Sequence, residues 1–219
     1  MSAGLAAVAL ALALGGAADD APAVPGETHL DVRAFRVEKS QSGPVTYYEV
    51  AFEGDEPYLH AAYRPPLDTV TMSVRLPDAL RRGVKKVRWR WRAVTLQEGG
   101  DECRDGKTDS AAAVYLLWKR GLRYHALKYV WSAVGTKGAV CAKKRNPLTA
   151  QDTTILRSGP PLDDWVDEEI DPTAEYRAHF RGGDPAADVP DLVAIAVMTD
   201  GDDTRSPSAA DYAAFTLVY

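Results

Sequence analysis

Carboxylates lie in two places where chemistry could be built. Glu168, Glu169 and Asp171 follow Trp165 closely, and Asp109 precedes a long apolar stretch. Glycoside hydrolysis needs two carboxyl groups flanking the scissile bond, one protonated and one ionised. In an extended segment Glu169 and Asp171 share one face and Glu168 takes the other, so a catalytic pair would be drawn from Glu168, Glu169 and Asp109. A solvated edge strand carries the same pattern without any catalysis. The second place is the turn Asp200-Gly201-Asp202-Asp203. Hard cations such as calcium take several oxygen ligands from loops of this kind, which makes Asp200, Asp202 and Asp203 the candidate metal ligands. The spacing does not match an EF-hand, and acidic turns also arise from turn chemistry alone.

Other reactive arrangements are missing. The chain has no Gly-x-Ser-x-Gly turn, no His-Glu-x-x-His pair and no phosphate-binding glycine loop. Its four histidines, His29, His60, His125 and His179, are scattered, and His125 sits between Tyr124 and Ala126 as a packed strand residue would. Cys103 and Cys141 are the only cysteines. In an exported chain such a pair reads as a disulfide stapling two loops, and it does not make a zinc site.

Aromatic residues offer the better chemistry. A ring on an open sheet face can stack on a sugar while neighbouring polar groups bond its hydroxyls. Tyr115, Tyr129 and Trp131 are the candidate stacking residues, with Asp109, Glu168 and Asp200 as polar contacts. Trp89 and Trp91 belong to the core instead, because Val87 to Val94 alternates strictly and Arg88, Arg90 and Arg92 mark the opposite face as wet.

These residues must be held by strands. From residue 28 onward, short period-two segments are separated by Gly, Pro and Asp clusters, and eleven candidate strands run from Asp31–Val37 to Ala210–Tyr219. Ala111 to Trp118 and His125 to Trp131 are apolar on both faces, as central strands are, and the turn around Gly121 joins them in a hairpin. One short helix is expected: Asp171 caps it, Pro172 occupies its first turn, and Arg181-Gly182-Gly183 ends it after about Phe180. It should cover one end of a two-sheet antiparallel β-sandwich of jelly-roll or lectin-like type.

A chain of 219 residues forms one such domain comfortably. A net charge of -5 gives no general electrostatic pull toward nucleic acid, whose binders usually carry a basic face, so no nucleic-acid role is expected. The apolar run Leu5 to Leu14, followed by Gly15 to Ala18 and then Asp19 and Asp20, reads as a signal peptide over residues 1–18, with a linker over 19–27 and the sandwich over 28–219. Nothing after the signal approaches the roughly 20 apolar residues of a membrane span. The protein is therefore expected to be periplasmic or extracellular.

Several short motifs fall in a consistent order: Asp109-Ser-Ala-Ala-Ala-Val-Tyr115, Tyr129-Val-Trp131, Asn146-Pro147, Ser158-Gly159, Trp165 with Glu168, Tyr176, and Ala196-Val-Met-Thr-Asp200-Gly-Asp-Asp-Thr204. In this order they resemble the bacterial domain-of-unknown-function family 3047. The chain departs from it at Asp202-Asp203, where an Asp-Asn pair is commoner, and in its cysteine pair. The resemblance implies an exported β protein and brings no activity with it. From the residues themselves, the leading expectation is a non-enzymatic carbohydrate-binding module for envelope or extracellular polysaccharide. A glycoside hydrolase or polysaccharide lyase on the same face, and a structural envelope protein with a protein partner, are the alternatives.

Overall fold

The computed structural model describes residues 26–38 and 46–219. The expected signal peptide and nearly all of the expected linker lie outside those residues. The strands are β1 (Glu27–His29), β2 (Arg36–Val37), β3 (Tyr48–Glu53), β4 (Glu56–Tyr63), β5 (Thr71–Arg75), β6 (Lys86–Thr95), β7 (Ala112–Arg120), β8 (Arg123–Ser132), β9 (Val140–Arg145), β10 (Thr149–Ser158), β11 (Val166–Ile170), β12 (Leu192–Met198) and β13 (Ser208–Val218); the helix α1 is Pro172–Phe180. They form a β-sandwich of a six-stranded sheet, ordered β11-β6-β13-β4-β3 with β1 beside β13, and a seven-stranded sheet, ordered β2-β5-β12-β7-β8-β10-β9. All pairings are antiparallel except β8 with β10, which run parallel.

The strict alternation of β6 explains the interior. Val87, Trp89, Trp91 and Ala93 are buried and meet Trp118, Tyr129 and Trp131 from the other sheet. Trp91 packs 6.0 Å from Trp131 and Trp89 packs 5.9 Å from Tyr129, ring centroid to centroid. On the outer face Arg88 pairs with Glu169 and Glu27, Arg90 with Glu56 and Asp167, and Arg92 with Asp211 and Glu53. That outer face is thus an ion-paired lattice rather than a free positive stripe.

The β7–β8 hairpin turns at Gly121-Leu122, where Gly121 takes a φ of 59° that a side chain would strain. Asp171 caps α1 by accepting hydrogen bonds from the backbone N–H groups of Thr173 and Ala174, each at 2.9 Å. The helix buries Tyr176 against Trp118 and His125 and closes one end of the sandwich.

Two local expectations fail for physical reasons. In the segment expected as a strand over Asp31–Val37, Asp31 caps a single 3-10 turn, Val32–Ala34, and only Arg36–Val37 pairs. β9 has no alternating pattern, since Val-Cys-Ala-Lys-Lys-Arg sits at a sheet edge with a single partner strand, β10. Cys103 and Cys141 are joined, so the disulfide ties the loop after β6 to that edge strand rather than to a second loop.

Candidate functional site

The structure distributes the candidate residues over three places. Asp109 and Asp200 meet at one end of the seven-stranded sheet, where β7 begins and β12 ends, and Asp202 joins them with carboxylate oxygens all within 4.8 Å of one another. Asp109 is nevertheless committed to the β12–β13 loop: it accepts from Asp203 N–H, Thr204 N–H and Thr204 Oγ1. Asp200 accepts from Ser110 N–H at 2.7 Å, and Asp202 from Thr69 Oγ1 at 2.9 Å. Asp203, expected as a metal ligand, instead accepts from Thr108 N–H and Oγ1. The oxygen set that could face a hard cation is therefore Asp109, Asp200 and Asp202, with Asp109 in the place of Asp203. Burial pushes the Asp200 carboxyl well above its ordinary range, against the pull of Lys128, and raises that of Asp109 as well.

The aromatic candidates divide. Tyr115 lies on the outer face of β7, half-buried, with Lys128 Nζ 5.9 Å from its ring centre. Lys128 is itself buried and ion-paired with Glu102 from the loop after β6. Tyr129 and Trp131 point the other way, into the core, at 0% and 1% exposure. Their polar atoms are satisfied internally: Tyr129 donates to Glu175 Oε2 at 3.0 Å and Trp131 Nε1 to the Gly159 carbonyl at 2.8 Å. Neither can stack on a ligand, because both rings are sealed in the core against Trp89 and Trp91.

The carboxylates of β11 are also engaged. Glu168 faces between the sheets and accepts from Arg157 Nε at 2.7 Å and Trp91 Nε1 at 3.1 Å. Glu169 faces outward, where Arg88 and then Lys86 hold its carboxyl below the usual range. The three candidate acids thus have separate partners: Asp109 the backbone of Asp203 and Thr204, Glu168 the side chains of Arg157 and Trp91, and Glu169 those of Arg88 and Lys86.

A different constellation does assemble on the outer face of the six-stranded sheet. The two-residue turn Gly54-Asp55 places Glu53 and Glu56 directly opposite each other across β3 and β4. Like charges in that position repel, and here Arg92 lies 3.3 Å from Glu53 and Arg90 3.6 Å from Glu56. Trp165, one residue before β11, donates from Nε1 to Glu53 at 2.8 Å and meets Tyr58 of β4 edge to face, with centroids 5.7 Å apart. Arg92 stacks 4.4 Å from the indole centre. Glu53, Glu56, Pro57, Tyr58, Arg90, Trp165 and Ala213 line a depression of about 110 Å³. Arg90 lies 5.2 Å from the same indole centre, so two guanidinium groups hold the ring in place. The sequence carries the signal only in part: Trp165 is visible as an isolated aromatic beside an acidic strand, but its neighbours come from β3, β4 and β6.

The family model for a protein of unknown function, DUF3047, matches residues 37–216. The chain belongs to this family. No curated protein matches the sequence. Among solved structures, the DUF3047 chain is similar to a family 11 carbohydrate-binding module from Clostridium thermocellum in complex with a β-1,3-1,4-mixed-linked tetrasaccharide, with 11% identity over 90% of this chain and 97% of that one and a TM-score of 0.46. It is also similar to the xyloglucanase domain of NopAA from Sinorhizobium fredii in complex with cellobiose, at 8% identity, 90% and 99% coverage and a TM-score of 0.45. Endoglucanase 3 of Trichoderma harzianum, from family GH12, gives 11% identity, 90% and 98% coverage and a TM-score of 0.42. At these levels the likeness says nothing about ligand or reaction.

Proposed function

We propose that this DUF3047 protein is an exported glycan-binding protein that contacts envelope or extracellular polysaccharide without cleaving it. The observation that carries the reading is the joint lining of one depression by Trp165 and Tyr58 with Glu53, Glu56 and Arg90. Aromatic rings supply stacking area for a sugar, and the charged groups supply acceptors and donors for its hydroxyls. At about 110 Å³ the depression is too small to enclose a ligand, which suits contact with part of a polymer lying across a surface. Each glutamate lining it is paired with an arginine, Glu53 with Arg92 and Glu56 with Arg90, which fixes the direction of its acceptor oxygens. Export is supported by the apolar run Leu5 to Leu14 and by the Cys103–Cys141 bond. No helix among the described residues is long and apolar enough to cross a membrane.

The test is a binding titration of the purified protein against a panel of neutral and acidic polysaccharides, with product analysis on each hit. Trp165→Ala should weaken binding at least about tenfold while leaving the thermal midpoint close to that of the parent. Equal binding by parent and variant would remove this face from consideration. Release of new reducing ends would instead make the protein a hydrolase.

A further inference from the structure

The end of the seven-stranded sheet formed by the β7–β8 and β9–β10 turns combines two features seldom found together. Leu122 is 82% exposed and Leu148 is 58% exposed, each at the tip of its turn. The turns are neighbours: Tyr124 pairs with Thr149, and Tyr124 N–H donates to the Leu148 carbonyl at 2.8 Å. Cations surround them. Lys119 and Arg120 end β7, Arg123 begins β8 and Lys144 and Arg145 end β9; burial, with the charges of Arg123, Arg181, Arg120 and Arg145, pushes the imidazole of His125 just inside this end down to about 4. Arg120 is matched by Asp188 and Arg145 by Asp152, but Lys119, Arg123, Lys144 and Arg181 make no ion pair among the described residues. This contrasts with the six-stranded sheet, whose outward arginines are all matched, and with the chain's net charge of -5.

We propose that this end is a peripheral docking surface for an anionic lipid bilayer, with Leu122 and Leu148 entering the interface and Arg123, Lys144 and Arg181 supplying charge toward the headgroups. Two adjacent apolar tips ringed by unmatched cations fit a surface that is apolar below and negative above. A soluble polyanion would use the cations and leave the leucines idle. A protein groove would use the leucines without requiring an anionic partner. The inference is independent of the glycan-binding reading, since none of these residues lines the Trp165 depression.

Co-sedimentation of the full chain with vesicles tests it, comparing phosphatidylcholine alone with an equal mixture of phosphatidylcholine and phosphatidylglycerol. The parent should bind the anionic vesicles, less so as salt rises. Leu122→Ser with Leu148→Ser should reduce that partitioning at least about tenfold, and Arg123→Glu with Lys144→Glu should abolish the preference for phosphatidylglycerol. Because every variant is compared in the full chain, attachment through the apolar N-terminal run contributes equally to all. All four substitutions are at or near turns, and circular dichroism melts check that each variant is folded. No binding by the parent, equal binding to both vesicle types, or undiminished binding by the double-serine variant overturns the proposal. So does loss in the charge variant alone, which would indicate simple electrostatic adsorption of the protein to an anionic surface.

Discussion

Lys128 and Glu102 form an ion pair inside the protein, with side-chain exposures of 5% and 2%. Glu102 belongs to the loop after β6 and Lys128 to β8, so the pair holds that loop against the outer face of the seven-stranded sheet. Removing one partner would leave a buried charge unmatched. Lys128→Met is expected to cost about 3–5 kcal/mol, and Lys128→Met with Glu102→Leu to recover most of it, both measured by urea unfolding. If the double variant is as unstable as the single one, packing rather than charge is the cause.

The neighbouring residue, Cys103, anchors the same loop to β9 through a loop closure of 38 residues. Replacing both cysteines by alanine should lower stability by about 3–4 kcal/mol. Because the disulfide and the Lys128–Glu102 pair fix one segment, the two losses should fall short of adding, which a double-mutant cycle on unfolding free energies would read directly.

Acid sensitivity should come in part from His125. Its imidazole takes up a proton near pH 6.5 when unfolded but resists until about 4 when folded, through burial and the surrounding arginines. Between those values the unfolded state holds more protons, so stability falls as pH is lowered through that window. Asp109 and Asp200, raised by burial, act in the opposite sense. Comparing His125→Phe with the parent at each pH removes their contribution. The variant should gain stability relative to the parent from pH 6.5 to 4, and a constant difference would contradict the assignment.

Trp131 and Trp165 should behave as opposites. Trp131→Ala creates a cavity in the core and is expected to cost about 3–5 kcal/mol, whereas Trp165, half-exposed beside Tyr58, should cost far less. Chemical denaturation of the two variants separates a structural tryptophan from a surface one before any ligand is known.

Part of this was legible in the sequence because the local pattern and the tertiary structure agree. β6 alternates between a core of Trp89 and Trp91 and a wet row of arginines, and Asp171, Pro172 and the glycine pair mark both ends of α1. The candidate site was less legible. Both faces of β8 are buried, so no periodicity tells Tyr129 and Trp131 from ligand-facing rings. Trp165 bonds Glu53 across 112 residues of sequence, and the depression exists only once β3, β4, β13 and β6 are assembled in one sheet. The acidic turn was visible, yet whether Asp203 or Asp109 completes it depends on a loop contact with Thr108.

The single parallel pair has a bearing on how this fold can vary. In a wholly antiparallel sheet, the turns leading into adjacent strands leave from opposite ends. Because β10 runs alongside β8 in the same direction, the turns that feed them emerge side by side. Both turns are exposed at their tips, so the side chains there can change without disturbing the strands, whereas the two-residue length of the β7–β8 turn sets the register of that hairpin. The fold thereby keeps two prongs side by side on one rim, and the residues at their tips can be exchanged without reaching the buried layer beneath.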